Sequence, residues 1–447
     1  MMAAPDVWGD GGGLEVRDAV RGRAITEVEV GGEKTAWSAL ESPRAPGNVE
    51  LRWRVQVTGG ENAIELPTCA GRGQLAVDGV PISTRDAGPV VVPLSAGEHG
   101  VSERLTVSGY EKRMACGAAP QVGVVESAHE GLLRFAFDSP HAGAGGGHAV
   151  VFLPPGHDRS TPGAMLVLPH PWNGSIWTYA AYAELLDEAT KRDVLLLLPS
   201  GLGNSLYTAP AEDEVMRAIA AIETELAIDP SRVSIAGASM GGAGATTIGF
   251  HHPDRFASIT SFFGDSKYDL ATYVRPLLHD EAGAHLVNAA DVADNARNVP
   301  VWLVHGEEDR VSPIAQSEIL ARALTARGIP VRFDRVAGMG HQGALFARFA
   351  RELVTRASES RVVARPARVT YRTVRSEDRC AYGVCLERAH AGDAFADVER
   401  GDDGAARVRR AENVRTVILA KGALGSARGG EIALPPSGDG APRGTAR

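Results

Sequence analysis

"SIAGASMGGAG", residues 234–244, sets Ser239 among four glycines. The pattern G-x-S-x-G is weak evidence by itself in a chain with 52 glycines among 447 residues, so its neighbours must decide what it means. "RVSIA" before it has the apolar, β-branched character of a strand, and "GGAGATTIGFHH" after it reads as a helix. The serine then falls on a strand-to-helix turn, where small residues at Gly237 and Gly241 leave room for a tight, strained backbone. A purely structural glycine turn is the competing reading.

Working outward, "AMLVLP" (164–169), "DVLLLLP" (193–199), "ASITSFF" (257–263), "VPVWLVHG" (299–306) and "PVRFDRVAG" (330–338) are mostly continuous apolar runs. They suit parallel strands covered on both faces. Between them lie helical segments such as "AEDEVMRAIAAIETEL" (211–226), with Val215, Ile219, Ile222 and Leu226 on one face. Strand alternating with helix predicts an α/β doubly wound, mostly parallel sheet over 149–357. Residues 1–145, with short alternating runs such as "VELRWRVQV" (49–57), read as an N-terminal β-sandwich domain. A small β domain is expected over 362–424, followed by a disordered tail over 425–447 rich in Gly, Pro and Ala.

A serine hydroxyl becomes nucleophilic when a histidine takes its proton, and that histidine needs an acid to hold its tautomer. "HGEEDRVSP" (305–313) places Asp309 just beyond one strand, and "GMGHQG" (338–343) places His341 beyond the last. Ser, Asp, His in that chain order, each at a strand's C-terminal end, is the α/β-hydrolase arrangement. Glu307 and Glu308 are rivals for the acid, while His305, His251 and His252 read as packing or helix-end residues. An oxyanion would need two donors, and the backbone N–H groups of Met240 and Trp172 are the candidates. Trp177 and Tyr207 are candidates for the substrate pocket, and 266–297 is long enough to form a lid.

These stretches, with "IDPSRVSIAGASMGGAGATTIGFHHPDRFASI" (228–259), resemble the catalytic domain of the prolyl-oligopeptidase-like and polyhydroxybutyrate-depolymerase-like serine esterases of the α/β-hydrolase superfamily. The resemblance covers roughly 149–357. It implies Ser239 as nucleophile, Asp309 as acid, His341 as base, and Met240 and Trp172 as oxyanion donors. That family usually has His-Gly before the oxyanion residue; here the pair is His170-Pro171, and proline has no N–H to give. Prolyl oligopeptidases carry a large β-propeller over the site, for which the segment before 149 is short. Esterases with small β modules fit better, so ester hydrolysis is expected ahead of peptide hydrolysis, with a non-catalytic binding protein as a third reading.

Composition adds exclusions. The net charge of −9 without a basic run argues against a nucleic-acid binder, and no apolar stretch is long enough for a membrane helix. There is no H-E-x-x-H, C-x-x-C or Walker motif, and "GMGHQG" fits the dinucleotide pattern G-x-G-x-x-G only formally, lying after the last strand with no βαβ unit to follow, so no cofactor is expected; the expected partner is a small-molecule or polymer ester. "MMAAPDVWGD" lacks a secretory signal, which leaves a cytoplasmic protein or an exported one whose leader has been removed. Cys69 and Cys116 could bridge. Cys380 and Cys385 in "CAYGVC", read as one strand, would stand about 16 Å apart and on opposite faces, too far to pair.

Overall fold

In the computed structural model the described residues run from 131 to 434, apart from 142–146, 173, 175, 177, 271–273, 378 and 427–428. Outside that range they comprise strands between 23 and 124, the turn at 78–79, and the pair 444–445. Trp177, Cys69, Cys116 and most of the expected tail therefore lie outside the described residues. The chain divides into two compact units, 1–155 with 173–186, and 156–172 with 187–447.

Within the first unit the described strand pairs are antiparallel. Gly47–Val57 and Gly97–Val107 run alongside each other for their whole length, covering the alternating run quoted above. Beside them, Gly73–Val77 turns into Val80–Ser83 through Asp78-Gly79, both at positive φ (51° and 76°), as a tight hairpin requires. The Asp78 carboxylate then accepts from the Gly100 N–H at 2.8 Å and meets His99 Nδ1 at 2.7 Å.

The second unit carries six parallel strands. They are β1 (Gly163–Val167), β2 (Val194–Pro199), β3 (Ile228–Ala238), β4 (Ile259–Phe262), β5 (Val301–Gly306) and β6 (Val331–Val336), in the order 2-1-3-4-5-6. Every residue of β1, β2, β4 and β5 is buried, which accounts for their unbroken apolar sequences. Strand β6 lies at the edge and is only partly buried, and its sequence "VRFDRV" alternates accordingly. Helix α1 (Ala209–Glu225) buries Val215, Ile219 and Ile222, as its periodicity requires. Helix α2 (Met240–His251) is buried along its entire length, so it has no polar stripe. Helices α3 (Ala315–Ala326), α4 (Gly343–Arg348) and α5 (Ala350–Glu359) follow. No helix of the described residues is long and apolar enough to cross a membrane.

Three expectations need correction. The stretch proposed as a lid is tied into the core: Thr247 donates to the Val287 carbonyl at 2.7 Å and Asn295 Nδ2 to the Phe250 carbonyl at 2.8 Å. Cys380 and Cys385 do form a disulfide, with Cα atoms 4.1 Å apart. "CAYGVC" is a hairpin, not a strand: Tyr382 and Gly383 adopt φ of 52° and 75°, turning the chain so that the two cysteines face each other across the ladder. Lastly, Gly430–Ala433 in the expected tail pairs antiparallel with Val414–Leu419. Ile432 and Leu434, two apart on one face, enter an apolar cluster with Val369, Tyr371, Val384 and Val417. That cluster is shared by two small antiparallel sheets that follow the parallel one in sequence.

Candidate active site

Strand β3 ends at Ala238 and helix α2 begins at Met240, leaving Ser239 alone in the turn at φ 57°, ψ −124°. A non-glycine residue there is strained, and the surroundings hold it. The Ser239 N–H donates to the Phe262 carbonyl at 2.9 Å, and the Ser239 carbonyl accepts from the Ala243 N–H at 2.9 Å. The glycines are required by space. A Cβ on Gly241 would sit 2.0 Å from the Pro169 carbonyl oxygen, and one on Gly237 2.3 Å from the Gly241 oxygen. The loop after β1 therefore passes directly over the start of α2.

His341 comes from the loop after β6, and Asp309 from the loop after β5. The two loops are joined by backbone bonds from Glu307 N–H to the Val336 carbonyl (3.0 Å) and from Glu308 N–H to the Met339 carbonyl (2.9 Å). Ser239 Oγ lies 2.8 Å from His341 Nε2, and His341 Nδ1 lies 2.7 Å from Asp309 Oδ2. The geometry fits one tautomer, with Nδ1–H donating to Asp309 and Nε2 accepting from the Ser239 hydroxyl. Glu307 and Glu308 are exposed, Glu307 pairing with Arg335, whereas Asp309 is buried.

Burial alone would raise the Asp309 carboxyl. Hydrogen bonding from His305, His341 and the Val311 N–H outweighs it and holds the carboxyl well below the usual carboxylate range. Its Oδ1 accepts from the Val311 and Ser312 N–H groups at 2.8 and 2.9 Å. His305, fully buried, lies 3.4 Å from Oδ2 and is itself fixed by Ser317 Oγ and the Ser312 carbonyl, each at 2.8 Å. Ser312 Oγ donates to Asp265 Oδ1 at 2.6 Å, and the Phe263 ring stands edge-on to His341 at 4.7 Å. Asp265, Ser312 and Phe263 carried no signal in the sequence because no spacing rule links the loop after β4 to the loop after β5. His305 was visible but read only as packing.

Met240 is the first residue of α2, so its N–H is among those a helix leaves without an intrahelical acceptor. Trp172 is half-buried in the loop after β1, beyond His170 and Pro171. His170 braces that loop, with Nδ1 2.8 Å from the Pro171 carbonyl and Nε2 2.7 Å from the Ser200 carbonyl. Tyr207 does not line a pocket. It is fully buried, its hydroxyl donates to the His170 carbonyl at 3.0 Å, and its ring fills the space left by Gly244. It props the loop after β1 from within.

No curated protein matches the chain by sequence. Among solved structures, a fluorophosphonate-binding serine hydrolase F of Staphylococcus aureus aligns at 16% identity and a TM-score of 0.44, over 51% of this chain and 98% of its own. An S-formylglutathione hydrolase from Agrobacterium tumefaciens aligns at 18% and 0.45, over 52% and 96%. An acylaminoacyl peptidase aligns at 16% and 0.41, over 51% and 40%. Residues 205–358, about a third of the chain, match the prolyl oligopeptidase family model, and the match takes in Ser239, Asp309 and His341. By that match, residues 205–358 are similar to the prolyl oligopeptidase family.

Proposed function

We propose that the protein hydrolyses carboxylic esters through an acyl-enzyme formed on Ser239. What carries the reading is the continuous relay from Ser239 Oγ through His341 to Asp309, at 2.8 and 2.7 Å, with the serine strained outward at φ 57°. Attack on the ester carbonyl transfers the serine proton to His341 Nε2, and the imidazolium so formed is stabilised by the Asp309 carboxylate. His341 returns that proton to the departing alcohol, then activates water to release the acid. The oxyanion rests on the Met240 N–H at the head of α2, with the Trp172 N–H as second donor. Pro171 cannot donate, so Trp172 is the first residue after His170 able to supply an N–H from this loop. No step calls for a cofactor. The flanking β regions are read as accessory β-sandwiches.

A second reading, a peptidase acting on short peptides, is favoured by the family that residues 205–358 match. Rates on p-nitrophenyl esters from acetate to octanoate, beside dipeptide and acyl-amino-acid anilides, decide between the two. The ester reading expects turnover of the esters with anilides slower by orders of magnitude, and loss of both in Ser239→Ala. Anilide turnover at rates rivalling the esters overturns it in favour of the peptidase.

A further inference from the structure

Strands β5 and β6 start side by side, Val301 opposite Val331, at the end of the sheet away from Ser239, Asp309 and His341. A cavity of about 570 Å³ opens there, walled by these strand starts, the segment Ala289–Asn298 and helix α5. Four arginines line it, Arg297, Arg332, Arg356 and Arg361, and no aspartate or glutamate does. The rest of the wall is largely apolar, with Pro300, Ile329 and Val363 among its residues, and Val363 is an exposed large hydrophobic side chain.

Three of the arginines are engaged. Arg332 pairs with Asp334 and Glu352, and Arg361 with Asp229 at 3.1 Å. Arg297 donates to Thr370 Oγ1 and the Arg327 carbonyl. Arg356 differs. Its Nε is closed off from solvent with no acceptor, and among the described residues its guanidinium makes no hydrogen bond or ion pair. Burial and the neighbouring Arg332 both push its proton affinity down, and the Glu352 carboxylate that opposes this is already held by Arg332. Glu359 lines the adjoining cavity, which shares Arg332 and Arg356 with this one. A partly buried cation that makes no hydrogen bond, and whose nearest carboxylate is already held by another arginine, costs free energy that a paired one does not. The cavity size is that of a small-molecule site.

We infer that this cavity binds a small amphiphilic carboxylate, its head group on Arg356 and its chain along Pro300, Ile329 and Val363. The site is independent of the hydrolytic reading. An acid product could also occupy the catalytic cleft, so the test turns on Arg356. Hexanoate, acetate and hexanamide are titrated calorimetrically into wild type, Arg356→Gln and Arg356→Lys, and melting is followed with and without hexanoate. The inference expects saturable hexanoate binding that weakens at least tenfold in Arg356→Gln and survives largely in Arg356→Lys. Acetate, lacking the chain, and hexanamide, lacking the charge, should each bind at least tenfold more weakly to wild type. Without ligand, Arg356→Gln should melt no lower than wild type, because a partly buried cation with no hydrogen-bond partner has gone. Equal hexanoate affinity in wild type and Arg356→Gln, equal affinity for hexanamide, or no saturable hexanoate binding overturns it.

Discussion

Among the described residues, two buried carboxylates face histidines, and they are built to opposite ends. Asp309 meets His341 at 2.7 Å and His305 at 3.4 Å. Glu212 meets His251 and His252 at 2.9 Å each, and also Arg375, at 2.9 Å, from the chain that follows the parallel sheet. Burial would raise both carboxyls, and in both the partners win and hold the group well below its usual range. The difference lies in what balances the charge. Glu212 has a permanent cation, and the side chains of His251 and Arg375 are each only 4% exposed, so that cluster is electrically closed. Asp309 is balanced by backbone N–H groups and imidazoles, with no arginine or lysine among its partners, and the His341 side chain is 16% exposed with Ser239 beside it. A base must gain and lose its proton at small cost. Only the second arrangement allows that.

Substitutions should separate the two clusters cleanly. Ser239→Ala is expected to lower kcat by roughly 10⁶, with an unchanged melting curve, as removal of a nucleophile does in comparable triads. Steady-state rates on a p-nitrophenyl ester beside calorimetric melting check it. Asp309→Asn keeps the side-chain shape but disfavours the tautomer that Ser239 needs, and about 10⁴ in kcat should be lost. A hundredfold drop or less would mean that Asp309 does not hold the base.

At the closed cluster the effect should move from rate to stability. Glu212→Ala removes the carboxylate shared by Arg375 and two histidines, and the expected cost is about 3–5 kcal/mol by denaturant unfolding, with activity per folded molecule retained. The sign with pH is fixed by the depressed carboxyls. Each contributes stability that is fully present above its unfolded value, about 4, and is lost as pH falls through the lower folded value. Wild type should therefore lose stability steeply below about pH 4, and Glu212→Gln should show a shallower acid slope over the same interval. Parallel slopes for the two proteins would mean that the Glu212 carboxylate is not coupled to folding.

The open site was legible in the sequence to the extent that it sits on regular elements. Ser239 and Asp309 each follow a strand whose apolar run announces it, and His341 follows the alternating edge strand "VRFDRV", so chain order alone could place them at one end of a sheet. The closed cluster was not legible. Glu212 opens a helix, where acids are common, and its partners lie about 40 and more than 160 positions away with no shared motif. Tyr207 was assigned to a pocket on residue type, and packing against Gly244 turned it inward. "CAYGVC" failed for a local reason: Tyr at the first position of a positive-φ turn is uncommon, and a strand of six residues was the simpler reading. Gly430–Ala433 failed because a composition rich in Gly and Pro masked a two-residue alternation.

The smallest effect tests the finest distinction, whether the open cluster tolerates a second, half-buried acid. Asp265 accepts from Ser312 Oγ at 2.6 Å, and Ser312 in turn gives its N–H to Asp309. Burial pushes the Asp265 carboxyl up, and the charge of Asp309 adds to the rise against the Ser312 hydrogen bond and the pull of His341 and His305. A raised carboxyl favours folding while protonated, and that contribution is lost as pH rises through the folded value. Asp265→Asn keeps an acceptor for Ser312 and removes the charge. It should match wild type in stability at pH 3 and exceed it slightly at pH 8, by about 1 kcal/mol or less, with kcat changed by less than about tenfold. A variant that is less stable than wild type at pH 8 would show that the Asp265 charge is needed to hold the Ser312 loop. The Asp309 site would then be a closed network like that of Glu212.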